Sequence, residues 1–496
     1  MQRRPFTQMH SAALLAAACL LLTAIESSGL PATSRPAASS PTSKPGAALL
    51  LRASSSPASR PASKPATKPA SKPASLPASR AASLPASQPG SEPKPGTLAY
   101  ARKGFVTQLL PGKSPLDQGG VKPEPPPPQQ YALIHYKSPA GNLVAYLSPD
   151  PRDGKKHPAV IWALGGYGGI GDVWTTQPSE NDQTPAAFRR AGFVVMVPAW
   201  RGRNDNPGRF EMWFGEIDDA LAAVDHLAKV PYVDPTHIYL VGHSTGGIVA
   251  LLAAECSTKL RAAFSLDGCP DIERLVQTSP EHPAPYVSGR PEEGRLRSAV
   301  RWVESIQTPT WFFGNSETWH GRAAMDMARR AKVANAPFHA FILDGANHFD
   351  IVRPMTEMLA QKIAQDTGAT CSIQITPEEV ERAYGKFFTS RTITCVVPAT
   401  PGVRLTPAAR EAVKQMIAAN QVPATALLTI AMRDGRMDAV FDPKGGDPYT
   451  YKANADGVLV QVDDRVAAKA SVFEIDLQVT NGKGVLTVKA VDENKP

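Results

Sequence analysis

Long apolar runs are missing from this 496-residue chain. No stretch reaches the roughly 18–20 residues that a bilayer-spanning helix needs, which excludes a multi-span membrane protein. Cysteine is scarce. The five are Cys19, Cys256, Cys269, Cys371 and Cys395, with no CxxC pair and no Cys/His cluster, so no zinc site is expected. Acidic residues are nearly absent from one region. Residues 1–97 hold eleven Lys/Arg against Glu26 and Glu92, a net +9, while the whole chain carries +8. The remainder is therefore nearly neutral, and composition gives no basic face for nucleic acid.

What is present divides the chain. Arg3 and Arg4 precede an apolar stretch from Ala12 to Ile25, the order of a secretory leader, and residues 1–29 are read as a signal peptide. The location this implies is secreted, periplasmic or in the cell envelope. A lipid anchor at Cys19 is the lesser alternative, because the apolar run continues through Leu20-Leu21-Leu22. Residues 30–128 read as a disordered Pro/Ala/Ser-rich linker, with a Pro-Ala-Ser-Lys/Arg/Leu unit recurring through 57–88. Such sequence buries too little apolar surface to offset the entropy of ordering it, and proline keeps it extended. It suits a spacer, or a cationic contact to an anionic envelope polymer. Cys371 with Cys395, and Cys256 with Cys269, are the natural disulfide pairs of an oxidising compartment; free thiols are the other reading.

From about residue 129 to 370 short β-rich runs alternate with helical periods, which predicts a mostly parallel sheet covered by helices on both sides, an α/β fold. Ala159–Leu164, Phe193–Val197 and Ile238–Val241 are predicted strands. Ile217, Leu221, Val224 and Leu227 fall on one helical face. Between the strand at 238–241 and an apolar helix lies Gly242-His243-Ser244-Thr245-Gly246-Gly247, a G-x-S-x-G turn in the strand-then-helix context that such a nucleophile elbow requires. A serine hydroxyl is a weak nucleophile without a positioned base. His348 follows a predicted strand at 338–343, and Glu317 follows another at 310–313. Ser244 is thus the expected nucleophile, His348 the general base and acid, and Glu317 its orienting acid, with Asp267 as the alternative acid. The N–H of Thr245, at the helix start, is placed for an oxyanion. The chemistry expected needs no cofactor and no metal.

These residues carry a resemblance. Val197-Pro-Ala-Trp-Arg-Gly202, Ala222-Ala-Val-Asp-His-Leu227, Val233-Asp-Pro-Thr-His-Ile238, the elbow, and Gly345-Ala-Asn-His-Phe349 together resemble the catalytic domain of prolyl-oligopeptidase and dienelactone-hydrolase type α/β-hydrolases. The resemblance covers about residues 131–370 and implies a doubly wound α/β-hydrolase sheet. That family usually has Asp where Glu317 stands. Its Gly166-Tyr167-Gly168-Gly169 turn is similar to the prolyl-oligopeptidase version, which implies an oxyanion hole made by the Tyr167 hydroxyl with the Thr245 N–H. Peptidases of the family carry a large β-propeller, and too few ordered residues are expected upstream for one. The insert from Pro270 to Val303 reads as a small lid. A small-molecule ester is therefore the favoured substrate. A short peptide, in a prolyl-oligopeptidase-like peptidase, is the alternative, and a non-catalytic envelope scaffold is another.

Residues 371–402 read as a connector with a helix from Pro377 to Phe388. Residues 403–496 read as a small α+β domain. Leu405-Thr-Pro-Ala-Ala409, Val440-Phe-Asp442, Asp456–Asp463 and Phe473-Glu-Ile-Asp476 resemble the HesB-like fold of A-type iron–sulfur carriers. No cysteine follows Cys395. Cluster ligation needs thiolates, so the resemblance implies a structural or binding module.

Overall fold

The computed structural model describes residues 92–112, 121–167, 169–316, 318–419, 427–433, 436–442, 448–455, 457–480 and 483–491. The expected leader and the repeat at 57–88 lie outside the described residues. The main sheet has nine strands: β1 Ala132–Ser138, β2 Gly141–Leu147, β3 His157–Ala163, β4 Val194–Pro198, β5 Val233–His243, β6 Ala262–Leu266, β7 Thr310–Asn315, β8 Phe338–Asp344 and β9 Thr394–Val396. Their order is β1-β2-β4-β3-β5-β6-β7-β8-β9. The strands from β4 across to β8 are parallel. The β1–β2 hairpin joins β4 antiparallel, and β9 pairs antiparallel with β8 at the other edge.

Strands buried on both faces read as unbroken apolar runs, and β6 and β7 are buried at every residue. Side chains alternate between the faces. Val160, Trp162, Tyr239 and Val241 pack with Val352, Met355 and Leu359 of the helix Val352–Gln365. Ile161, Leu240 and Ala263 pack on the opposite side with Val224 and Leu227 of the helix Gly215–Leu227, and with Ala250 and Ala254 of Thr245–Cys256. Burying each large aliphatic or aromatic side chain here contributes about 1.5–3 kcal/mol.

Two segments expected to be connecting sequence belong to this body. The helix Pro377–Gly385 starts with a capping box, in which Thr376 Oγ1 accepts from the Glu379 N–H and the Glu379 carboxylate accepts from the Thr376 N–H. Its Val380 and Tyr384 and the following Phe388, spaced four apart, enter the same core as Trp162, and β9 extends the sheet. The 371–402 stretch is therefore structural rather than a connector. Upstream, within the expected linker, Thr97 caps a helix Leu98–Arg102. Leu98 is fully buried, and Arg102 pairs with Asp218 at 2.9 Å and lies over the Phe214 ring. Beyond it, Gln108 and Leu110 exchange main-chain bonds with Val287 and Pro285. Thr107 joins the buried Glu293–Arg297 pair. This strap fixes the insert at 270–303, which contains the helices Ile272–Thr278 and Pro291–Arg295.

The C-terminal residues form a three-stranded sheet, β10 (Gly402–Leu405), β15 (Val472–Thr480) and β16 (Lys483–Val491), and a four-stranded sheet. The latter contains β11 (Leu427–Arg433), β12 (Arg436–Asp442), β13 (Tyr451–Ala455) and β14 (Val458–Val462). The helix Pro407–Ala418 starts at Thr406, whose hydroxyl accepts from the Ala409 N–H, with Pro407 in the first turn as its sequence requires. Cys256, Cys269, Cys371 and Cys395 are all free, so neither of the natural disulfide pairs is formed.

Candidate active site

Ser244 sits between β5 and the helix Thr245–Cys256 with φ 55° and ψ −118°, a conformation that costs a non-glycine residue on the order of 1–3 kcal/mol. Two glycines make the turn possible. A Cβ on Gly242 would lie 2.2 Å from the Gly246 oxygen, and one on Gly246 would lie 2.0 Å from the Ala163 oxygen. The Ser244 N–H donates to the Leu266 oxygen at 2.8 Å, which ties the elbow to the end of β6. Thr245 Oγ1 donates to the Gly166 oxygen at 2.7 Å and ties it to the glycine turn after β3.

The residue before the serine holds the histidine loop. His243 Nε2–H donates to the His348 main-chain oxygen at 2.9 Å, and its ring lies 4.7 Å from the His348 ring, centroid to centroid. Its Nδ1 is 2.8 Å from the Gln183 amide. Burial, with the neighbouring His348 acting the same way, pushes the His243 imidazole down to about 3, so it stays neutral.

His348 Nδ1–H donates to Asp267 Oδ2 at 2.5 Å. The Asp267 side chain is fully buried and that of His348 is about a quarter exposed. Asn315 Nδ2 donates to the same oxygen at 2.7 Å, and the Asp267 N–H donates to the Phe313 oxygen. Burial pushes the Asp267 carboxyl up, but the His348 hydrogen bond and the fields of His348, His320 and His243 more than offset it, leaving it below the usual value. A carboxylate oxygen can only accept, so Nδ1 of His348 is the donor in this bond. The acid that meets His348 is therefore the alternative one. Glu317, the first-choice acid, lies outside the described residues. Asp267 directly ends β6, the neighbour of the elbow strand.

Tyr167 packs among Phe210, Trp213 and His282, and its hydroxyl donates to His282 Nδ1 at 2.9 Å. Burial pushes His282 down, which keeps Nδ1 free to accept. The expected oxyanion donor is thus engaged with the tip of the insert at 270–303. Sequence alone gave no sign of His282 as its partner. A cavity of about 20 Å³, room for about one water, lies beside Thr245, bounded by Tyr167, Trp200, Phe210, Trp213 and Glu216. Glu216 Oε1 accepts from the Glu211 N–H, while its Oε2 has no partner among the described residues. Burial pushes this carboxyl up to about 7.

The motif Val197–Gly202 has a structural purpose. Arg201 donates twice to Asp219 Oδ2 and once to Oδ1, and its Nη1 reaches Glu211 at 2.6 Å. This pins the loop after β4 to the helix Gly215–Leu227. No group of His, Cys, Asp or Glu among the described residues has the arrangement of a metal site.

Residues 157–400 match the family described as Alpha/beta hydrolase family. Dipeptidyl-peptidase 5 of Porphyromonas gingivalis is 30% identical over 244 residues, covering 44% of this chain and 34% of that protein. The uncharacterized peptidase YtmA of Bacillus subtilis is 26% identical over 202 residues, covering 37% and 73%. The chain thus spans about a third of the length of the dipeptidyl-peptidase it matches. Among solved structures, the Pyrococcus horikoshii acylaminoacyl peptidase aligns with a TM-score of 0.43 at 15% identity, covering 50% of this chain and 43% of that one. The sheet order and the elbow agree with the family match, and residues 157–400 have the α/β-hydrolase fold.

Proposed function

We propose that the chain is a serine hydrolase that cleaves a small ester, or an amide, through an acyl-enzyme on Ser244. The observation that carries the reading is the 2.5 Å bond from His348 Nδ1 to buried Asp267, held beside a strained serine turn. With Nδ1 committed, Nε2 of His348 is the nitrogen that accepts the Ser244 proton as Oγ attacks the substrate carbonyl. Asp267 holds the imidazole in that tautomer and stabilises the imidazolium. The Thr245 N–H, one of the unpaired donors of the helix start, meets the developing oxyanion. Tyr167 is the second donor once its hydroxyl leaves His282. His348 then protonates the leaving oxygen or nitrogen. Water, deprotonated by the same imidazole, attacks the acyl group and releases Ser244.

Likeness to dipeptidyl-peptidase 5 supports the second reading, an aminoacyl-amide substrate. We further propose that the chain is exported by residues 1–29, that the cationic linker contacts an anionic envelope polymer, and that residues 403–496 are a HesB-like module without cluster ligands. The test is a panel of p-nitrophenyl acyl esters and aminoacyl p-nitroanilides, with Ser244→Ala alongside. Turnover of esters that the variant lacks supports the ester reading. Faster turnover of the anilides selects the peptidase. No turnover of either by the folded protein contradicts both.

A further inference from the structure

The C-terminal unit touches the hydrolase body at a particular place. Tyr449, buried, donates its hydroxyl to Asp271 Oδ2. Its ring stacks on Trp319, with centroids 6.3 Å apart and planes 18° from parallel. The Arg274 guanidinium lies 4.7 Å from the Trp319 ring centre and 5.5 Å from that of Tyr449. Arg329, on the helix Trp319–Ala334, donates to the Tyr449 main-chain oxygen at 2.7 Å and pairs with Asp464 at 2.6 Å, both side chains being about nine-tenths buried. Arg465 reaches Asp344 at 3.6 Å, and Asp344 also accepts from Ser316.

These contacts fall on the segments that follow β6 and β7 and on the last residue of β8. Asp271 lies four residues after Asp267, and Asp344 four residues before His348. Trp319 starts the helix that follows Asn315, the residue that donates to Asp267, and its ring meets that of His320 edge-on at 4.5 Å. His320 is itself close enough to Asp267 to help hold its carboxyl below the usual value. The ends of all three strands that supply and support the acid–histidine pair are therefore held by one unit.

We propose that the C-terminal unit is a clamp on the acid–histidine half of the hydrolase site, with Tyr449 as its central positioning residue. The clamp rests on the Ser244, His348 and Asp267 assignment made above. It acts through geometry: a displacement of about 1 Å in a catalytic group costs on the order of a hundredfold in rate. Tyr449 touches no reacting atom, so its loss lowers kcat and leaves KM nearly unchanged.

The experiment uses the full chain and the variants Tyr449→Ala, Tyr449→Phe and, as a control on an exposed strand position, Lys489→Ala. It reads the rate of Ser244 labelling by a fluorophosphonate, kcat and KM on p-nitrophenyl acetate, the melting temperature, and the low-field proton resonance of the His348–Asp267 bond. Tyr449→Ala is expected to slow labelling and kcat by roughly tenfold to a hundredfold, with KM within about twofold, and to broaden or remove the low-field proton. Tyr449→Phe, which keeps the stack and loses the hydroxyl bond, is expected to fall between it and the wild type. Wild-type labelling rate and an unchanged low-field proton in a folded Tyr449→Ala protein overturn the clamp, whatever happens to the melting temperature. A wild type that takes no label contradicts the serine-hydrolase reading instead, and the proton resonance then decides the clamp on its own.

Discussion

In the hydrolase body, neighbouring parallel strands each end in a side chain that chemistry can use. Ser244 follows β5, Asp267 follows β6 and His348 follows β8. In the C-terminal unit, three of the five strand pairings described are antiparallel hairpins, β11–β12, β13–β14 and β15–β16. No histidine or cysteine follows Cys395. The difference is one of topology before it is one of composition. Parallel strands bring all their carboxyl ends to one edge, so residues far apart in the chain converge there. Hairpins send successive strand ends to opposite edges and gather nothing. The first region gathers the side chains of the proposed reactive site, and the second supplies the surface proposed to hold it.

Substitutions break this contrast to different degrees. Ser244→Ala removes the proposed nucleophile and is expected to lower ester turnover by on the order of a million-fold, read as kcat on p-nitrophenyl acetate. Asp267→Asn is expected to cost about ten-thousandfold through the wrong His348 tautomer. Glu317→Gln is expected to stay within about threefold, and the reverse ranking returns the acid role to Glu317.

Glu216 sharpens the comparison through stability. Burial raises its carboxyl from the usual 4.5 to about 7 in the folded chain. The folded state therefore favours the protonated form, and the stabilisation is complete below about pH 4.5 and is lost as pH rises through 7. The loss above 7 is roughly 3 kcal/mol. Glu216→Gln retains an acceptor for the Glu211 N–H and is expected to raise stability by about 2–3 kcal/mol at pH 8, and by little at pH 5, in urea denaturation. The smallest effect is expected at the seam between the regions. Arg329→Met leaves the nearly buried Asp464 without its partner and is expected to cost about 1–3 kcal/mol in the same assay.

The elbow was legible in the sequence because its requirements are local. Gly242 and Gly246 stand where any side chain would strike main-chain atoms. His348 was legible because a loop after a strand is enough to place it. The acid was not. Asp267 and Glu317 both follow strands that end on one edge, and only the contact of His348 with Asp267 in the folded chain says which acid reaches the histidine. One local signal was available. Asp267 ends its strand with no spacer and is followed by Gly268, where a Cβ would lie 2.4 Å from the Gly247 carbonyl carbon. That close approach presses the end of β6 against the elbow helix. Within 371–402 a helix at Pro377–Phe388 was expected, and Val380, Tyr384 and Phe388 have the spacing of a buried helical face, but which core that face meets depends on the fold around it. The strap around Leu98 was hidden by the proline-rich sequence on both sides of it.

The most direct measurement is fluorophosphonate labelling of the full-length protein followed by peptide mapping. Covalent modification at Ser244, abolished by Ser244→Ala and slowed by orders of magnitude in Asp267→Asn, is the result expected. A folded protein that takes no label, or takes it on another residue at the same rate in both variants, contradicts the account.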